Sequence, residues 1–198
     1  HTKSRVGIMN GLWANALGRG GIIPIEANFV ISGTLLDLKL TGMQGDVMKE
    51  SMNVARTLAW SLTSSDRKSE LVKEFEKTKT QGVHIHCPDG STPKDGPSAG
   101  TAITVTLYSL LNDRKIKNTI AITGEMSLQG DVTAIGGLDL KIIGGIQAGI
   151  KTFLFPEENV KDFKKFMEKY SENPIVEGIQ FIPISRIEEA LEHAIEDE

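Results

Sequence analysis

A change of hydrophobic rhythm near residue 46 constrains this chain more than any other feature. Before it, apolar and polar side chains alternate, as in "GIIPIEANFVISG" and "TLLDLKLTG", the period of two that strands require. From Asp46 the period lengthens. Val47, Met48, Ser51, Val54, Ala55, Leu58 and Ala59 recur at helical spacing and predict a helix to about Leu62. Strand-like and helix-like segments then take turns to the end of the chain. That order predicts an α/β (α+β) fold, a β-rich N-terminal lobe followed by alternating strands and helices. With 198 residues, 39% of them hydrophobic, a single domain over 1–198 has enough apolar surface for a core.

After the first helix, "SSDRKSELVKEFEKTKTQG" is charge-rich and predicts a short solvated helix and turn. "GVHIHC" predicts a strand, and "PSAGTAITVTLYSLLND" a largely apolar helix with Pro97 suited to its first turn. "NTIAITGEM" and "LQGDVTAIGG" read as two strands, "LDLKIIGGIQAG" as a helix and "KTFLFP" as a strand. Glu157, Glu158 or Asn159 starts the helix "VKDFKKFMEKY". "GIQFIPI" is a last strand, and Ser185 with Glu188 three residues on caps a closing helix. No internal repeat is present.

Composition narrows the partners. A net charge of −4 gives no broad attraction to nucleic acid or to an anionic membrane. No apolar run approaches the roughly 18 residues of a membrane span. Cys87 is the sole cysteine, so no intrachain disulfide forms and a reducing compartment is expected, the cytoplasm or a mitochondrial matrix. The start, "HTKSRVGIMN", has neither an initiator Met nor a leader's apolar stretch and reads as a cut from a longer chain.

The chemistry concentrates in "HIHCPDGSTPKDGPSAG", residues 84 to 100. His84 and His86 share one face of a strand, as a pair of metal ligands would. Cys87 points away, and a closed zinc site needs about four ligands, so a hydrogen-bonded structural pair is preferred and no metal is assigned. The glycines lack the spacing and the following Lys-Ser/Thr of a phosphate-binding loop, although backbone N–H groups before a helix suit any anion. Ser98 enters the helix from a Gly-Pro turn, with small Ala99 and Gly100 leaving its hydroxyl accessible. Nucleophile and helix cap are equally compatible with that placement.

A serine nucleophile needs a base, and histidines are scarce. A lysine serves if burial lowers its pKa toward about 7 or 8. Lys141, the single cation of the apolar helix "LDLKIIGGIQAG", is the candidate; the competing reading is a lysine snorkelling to solvent. "SDRK", residues 65 to 68, matches S-x-x-K of penicillin-recognising enzymes, but it falls in a charged, solvated segment without that family's companion motifs and is set aside as coincidence.

With both residues in view, the sequence resembles the proteolytic domain of Lon proteases. "PKDGPSAG" matches the signature around the family's nucleophilic serine, and "GGLDLK" ends at its general-base lysine, with the family's separation between them. "GLW" with "GRGGIIPIEA", "LTGMQGDVMKES", "HIHCPDG", "ITGEMSLQGDVTAIGG" and "GIKTFLFPEEN" follow in family order over nearly the whole chain. The resemblance implies a fold akin to a ribosomal-protein domain and a serine endopeptidase with a Ser98–Lys141 dyad acting on unfolded or damaged polypeptides. It matches Thr123 to a threonine that orients the lysine, Asp95 and Glu125 to acidic residues near the site, and Trp13, Gly96 and Pro97 to the substrate groove. It also implies an upstream ATPase module, to which ATP and magnesium belong, and a homo-hexamer; no cofactor is expected for these residues.

Two departures are visible. Asp139 and Leu140 stand where the family commonly has Lys and Glu, with surface or subunit contacts as the expected consequence. The segment "GLWANALGRGG" is slightly long and predicts a reshaped groove edge near Trp13. The competing reading is a catalytically inactive Lon-like scaffold of a nucleic-acid-handling or chelatase ATPase. Such relatives usually lose the Ser and Lys, and both are present here.

Overall fold

The computed structural model describes residues 3–42, 45–87 and 97–197, with the Pro97 side chain left aside. In chain order the elements are β1 (Arg5–Val6), β2 (Ile8–Ala14), β3 (Gly20–Val30), β4 (Leu38–Gly42), α1 (Asp46–Ser61), α2 (Ser65–Thr78) and β5 (Gly82–Cys87). There follow α3 (Gly100–Asn112), β6 (Lys115–Ile116), β7 (Ile120–Ile122), β8 (Glu125–Met126), β9 (Val132–Thr133), α4 (Leu138–Gln147), β10 (Thr152–Pro156), α5 (Val160–Tyr170), β11 (Gln180–Ile184) and α6 (Ile187–Ala194).

The main sheet runs β11-β10-β7-β2-β3-β5-β4. Its β11-β10-β7-β2 half is parallel, whereas β3 is antiparallel to both of its neighbours. Successive strand residues face opposite sides, and the two cores follow that parity. Met9, Ile23, Ile25, Ile122 and Leu154 pack on one side in the core that includes residues of α1, α2, α3 and α6. Leu12, Ala121, Phe153 and Phe155 pack on the other with Leu138 and Ile142 of α4 and Phe166 of α5. The α/β class expected from the rhythm is the class observed.

Several local expectations are corrected. The charged segment forms a full helix, α2, whose N-terminus Ser64 caps through its side chain and whose Leu71 is buried. "NTIAITGEM" is broken after Ile122, and from Gly124 the backbone groups leave the ladder with β10. Thr123 N–H donates to Leu154, while Gly124 N–H donates to the carbonyl of Ser98 and Gly124 C=O accepts from Thr101 N–H. "LQGDVTAIGG" contributes only the two residues of β9, paired with β8 as a small hairpin. The closing helix is capped one residue later than predicted: the Glu189 carboxylate, not Glu188, accepts from the backbone N–H groups of Ser185 and Arg186.

Candidate active site

β7 ends at Ile122, opposite Gly11 of its parallel neighbour β2, and β2 runs on to Ala14. α3 leaves from this edge into one core and α4 into the other. A crevice at the carboxyl ends of strands is where α/β sheets expose side chains from several elements at once. Here it is a cavity of about 620 Å³, and its walls include Ser98, Lys141, Glu125, Trp13, Leu140 and Ile135.

Ser98 sits in a 3₁₀ turn, Pro97–Ala99, that leads into α3. Its carbonyl accepts from Gly124 N–H at 3.0 Å, so the turn is tied to the chain just beyond Thr123. The helix-cap reading fails on geometry. Ala99 occupies the cap position, no side chain caps there, and the half-buried Ser98 hydroxyl makes no hydrogen bond among the described residues. Asp95 and Gly96 lie outside the described residues, as does the Pro97 side chain.

Lys141 does not snorkel. It is 3% exposed, and its Nζ donates to Thr123 Oγ1 at 3.1 Å. Burial lowers its pKa from 10.5 to about 8, opposed by the negative charge of Glu125. No direct Ser98–Lys141 hydrogen bond is present among the described residues. The two side chains line one cavity, and catalytic hydrogen bonds commonly tighten only when substrate is bound.

Glycine decides how close α4 comes. A Cβ on Gly144 would lie 2.2 Å from the Gly20 backbone, and one on Gly20 would lie 2.2 Å from the Leu140 carbonyl. Side chains at either position would hold the helix off β3, and Lys141 with it. Glu158 and Asn159, expected from the sequence as helix starters, stand just before α5 with Asn159 at its N-cap position, and they also form a second support that local pattern does not show. Asn159, 2% exposed, accepts from Ile135 N–H at 2.9 Å and donates to Ile135 C=O at 2.8 Å. Glu158 accepts from Ala134 N–H at 2.8 Å. Together they pin the strap that enters α4. The one available signal was an Asn beside a helix start, which local reading assigns to capping.

The remaining residues fall as follows. Trp13 and Asn15 line the cavity from the end of β2, and the hairpin beyond them is closed by Asn15 Oδ1 accepting from Leu17 and Arg19 N–H. Of the two replacements in "GGLDLK", Asp139 is exposed but Leu140 lines the cavity, so the latter is not merely a surface change. His84 Nε2 and His86 Nδ1 each lie 2.7 Å from Thr41 Oγ1, a hydrogen-bonded pair on the half-buried side of β5. In the S-x-x-K decoy, Ser65 is exposed on the first turn of α2, and Lys68 lies over the Trp60 ring.

Comparison with known proteins matches the chain to one family. Residues 1–197 match the family described as Lon protease (S16) C-terminal proteolytic domain. The chain is 41% identical to Lon protease of Rickettsia bellii over 194 residues, covering 98% of this chain and 23% of that protein. It is 39% identical to the Lon protease homolog of Acanthamoeba polyphaga mimivirus, covering 96% and 19%, and 38% identical to Lon protease of Haemophilus influenzae, covering 99% and 23%. The chain thus spans about a fifth of the length of these relatives.

Proposed function

This chain belongs to the Lon protease (S16) proteolytic-domain family, and from that premise we propose that it hydrolyses peptide bonds through a Ser98–Lys141 dyad. The family makes it a peptidase domain. The finer assignment is carried by one observation, a buried lysine with its pKa near 8 that opens on the cavity lined by Ser98.

In the proposed reaction, neutral Lys141 accepts the Ser98 hydroxyl proton as Oγ attacks the substrate carbonyl. The same amine, now an ammonium, protonates the leaving nitrogen as the peptide C–N bond breaks. Water then attacks the acyl-enzyme ester, gives its proton to Lys141, and the acid product departs with Ser98 restored. Thr123 suits the orienting role because its hydroxyl accepts from the amine without adding negative charge, which would hold the lysine protonated.

For the intact protein the proposal extends to unfolded polypeptide substrates, an ATPase module using ATP and magnesium, a homo-hexameric assembly, and residence in the cytoplasm or a mitochondrial matrix. A scaffold role without catalysis is not favoured, since Ser98 and Lys141 are both retained. Cleavage of an unstructured protein by wild type but not by Ser98→Ala tests the reading; equal cleavage by the two would reject it.

A further inference from the structure

Ser98 and Lys141 reach the cavity from different elements, the turn before α3 and the helix α4. Two residues join them. Lys141 Nζ donates to Thr123 Oγ1 at 3.1 Å, and the next residue, Gly124, donates its N–H to the Ser98 carbonyl at 3.0 Å. Gly124 C=O accepts in turn from Thr101 N–H at 3.2 Å. Both polar backbone groups of one residue thus hold the stretch that carries Ser98.

Side chains crowd Gly124 as well. β8 and β9 pair Met126 with Val132, and this hairpin brings Val132 back onto the glycine. A Cβ on Gly124 would lie 2.6 Å from Val132 Cγ1 and 3.0 Å from Thr101 Cγ2. Neither neighbour yields easily. Val132 and Thr101 are both buried, and both are β-branched with a stiff first torsion. A methyl at 124 would therefore displace the backbone that links Ser98 to Thr123.

We infer that Gly124 is a positioning residue whose missing side chain sets the separation of Ser98 and Lys141. The inference rests on the proteolytic reading above. Proton transfer needs Ser98 Oγ within hydrogen-bond reach of the neutral amine as the carbonyl is attacked. Thr123 fixes that amine, so a shift of the 123–124 backbone moves the base against the nucleophile. A misplacement of about 1 Å can cost a hundredfold in rate. Gly124 is not among the residues that line the cavity, so substrate binding should be spared.

The test measures kcat and KM of wild type, Gly124→Ala, Val132→Ala and the double variant on a fluorogenic peptide, below the melting range of each. Gly124→Ala should lower kcat about a hundredfold and leave KM within about threefold. Removing Val132 Cγ1 makes room for the new methyl, so the double variant should recover about tenfold in kcat. Val132→Ala alone should melt lower and keep the wild-type kcat. A merely structural glycine would behave differently, because a second core truncation aggravates lost stability and does not rescue it. If Gly124→Ala fails to fold, the double variant is read against Val132→Ala and should be about tenfold lower in kcat, since the Thr101 contact remains. Wild-type kcat in Gly124→Ala, a loss confined to KM, or no recovery of folding or kcat in the double variant overturns this inference alone; so does equality in that last comparison. Absence of cutting by wild type overturns the proteolytic reading and the inference with it.

Discussion

Lys141 Nζ donates to Thr123 Oγ1 across 3.1 Å in a buried hydrogen bond that joins two residues 18 positions apart. The acceptor is a neutral hydroxyl, so it fixes the direction of the amine without opposing the loss of its proton. Burial then dominates the pKa of Lys141 and brings it to about 8. A carboxylate in the place of Thr123 would have fixed the amine equally well and disabled it as a base.

Loss of either member of the dyad should remove roughly a thousandfold or more of peptidase activity, with circular dichroism unchanged. Ser98→Ala and Lys141→Ala combined should cost little more than either alone, because the two act as one unit. Single-turnover cleavage of a fluorogenic peptide measures all three, and wild-type-like turnover by Lys141→Ala would sink the assignment.

Activity should rise with pH through about 8, as Lys141 loses its proton. The Glu125 charge favours the ammonium form, so Glu125→Gln should shift the profile toward lower pH. Thr123→Val should cost activity, and Thr123→Asp should cost more while moving the profile alkaline. Profiles of kcat/KM, taken with acylation rate-limiting, check these directions; a flat wild-type profile from about pH 6 to 10 excludes Lys141 as the titrating base.

Stability should show the same lysine from the other side. The unfolded chain keeps the Lys141 proton up to about 10.5 and the folded chain only up to about 8. Between those values the unfolded state binds more protons, so this contribution makes stability rise with pH across that window. Below pH 8 the folded protein carries the whole cost, on the order of 3 kcal/mol. Lys141→Met relieves it and forfeits one hydrogen bond, for a net gain of about 2 kcal/mol at pH 7. Denaturant titrations should find that advantage shrinking as pH rises to about 10, and an advantage independent of pH would contradict the linkage.

Asn159→Ala should destabilise the fold by about 2 kcal/mol, because both polar backbone groups of Ile135 lose their partner. Activity should fall as well, through the strap that enters α4, with the pH profile unmoved since no charge changes. Melting curves and kcat/KM on one preparation separate the effects. An Asn159→Ala protein of wild-type stability would mean that the strap holds without it.

Gly144→Ala should be worse tolerated than its helix position suggests. Alanine is the better helix former, but its Cβ would stand 2.2 Å from the Gly20 backbone. Displacing α4 should cost about 1–3 kcal/mol and move Lys141 away from Thr123. A stabilised, fully active Gly144→Ala protein would show that the close approach of α4 to β3 is dispensable.

What the sequence by itself determined was periodic or signature-like. The rhythm placed α1 to within a residue at each end, because a helix or a half-buried strand writes its own repeat into neighbouring side chains. The apolar neighbours of Lys141 likewise marked it as the candidate base, with snorkelling to solvent as the competing reading, and family resemblance supplied Thr123 as its partner. Tertiary structure decided the rest. It ended the strand at Ile122, made the helix-starting Asn159 also the clasp on Ile135, and set Leu140 in the wall of the cavity. Each of these depends on where a backbone group distant in sequence comes to lie. That position is set by the contact of α4 with β3 through Gly144 and Gly20 and by the tie from Gly124 to Ser98. Glycines and backbone carbonyls carry no periodic pattern along the chain, so packing alone reveals what they hold.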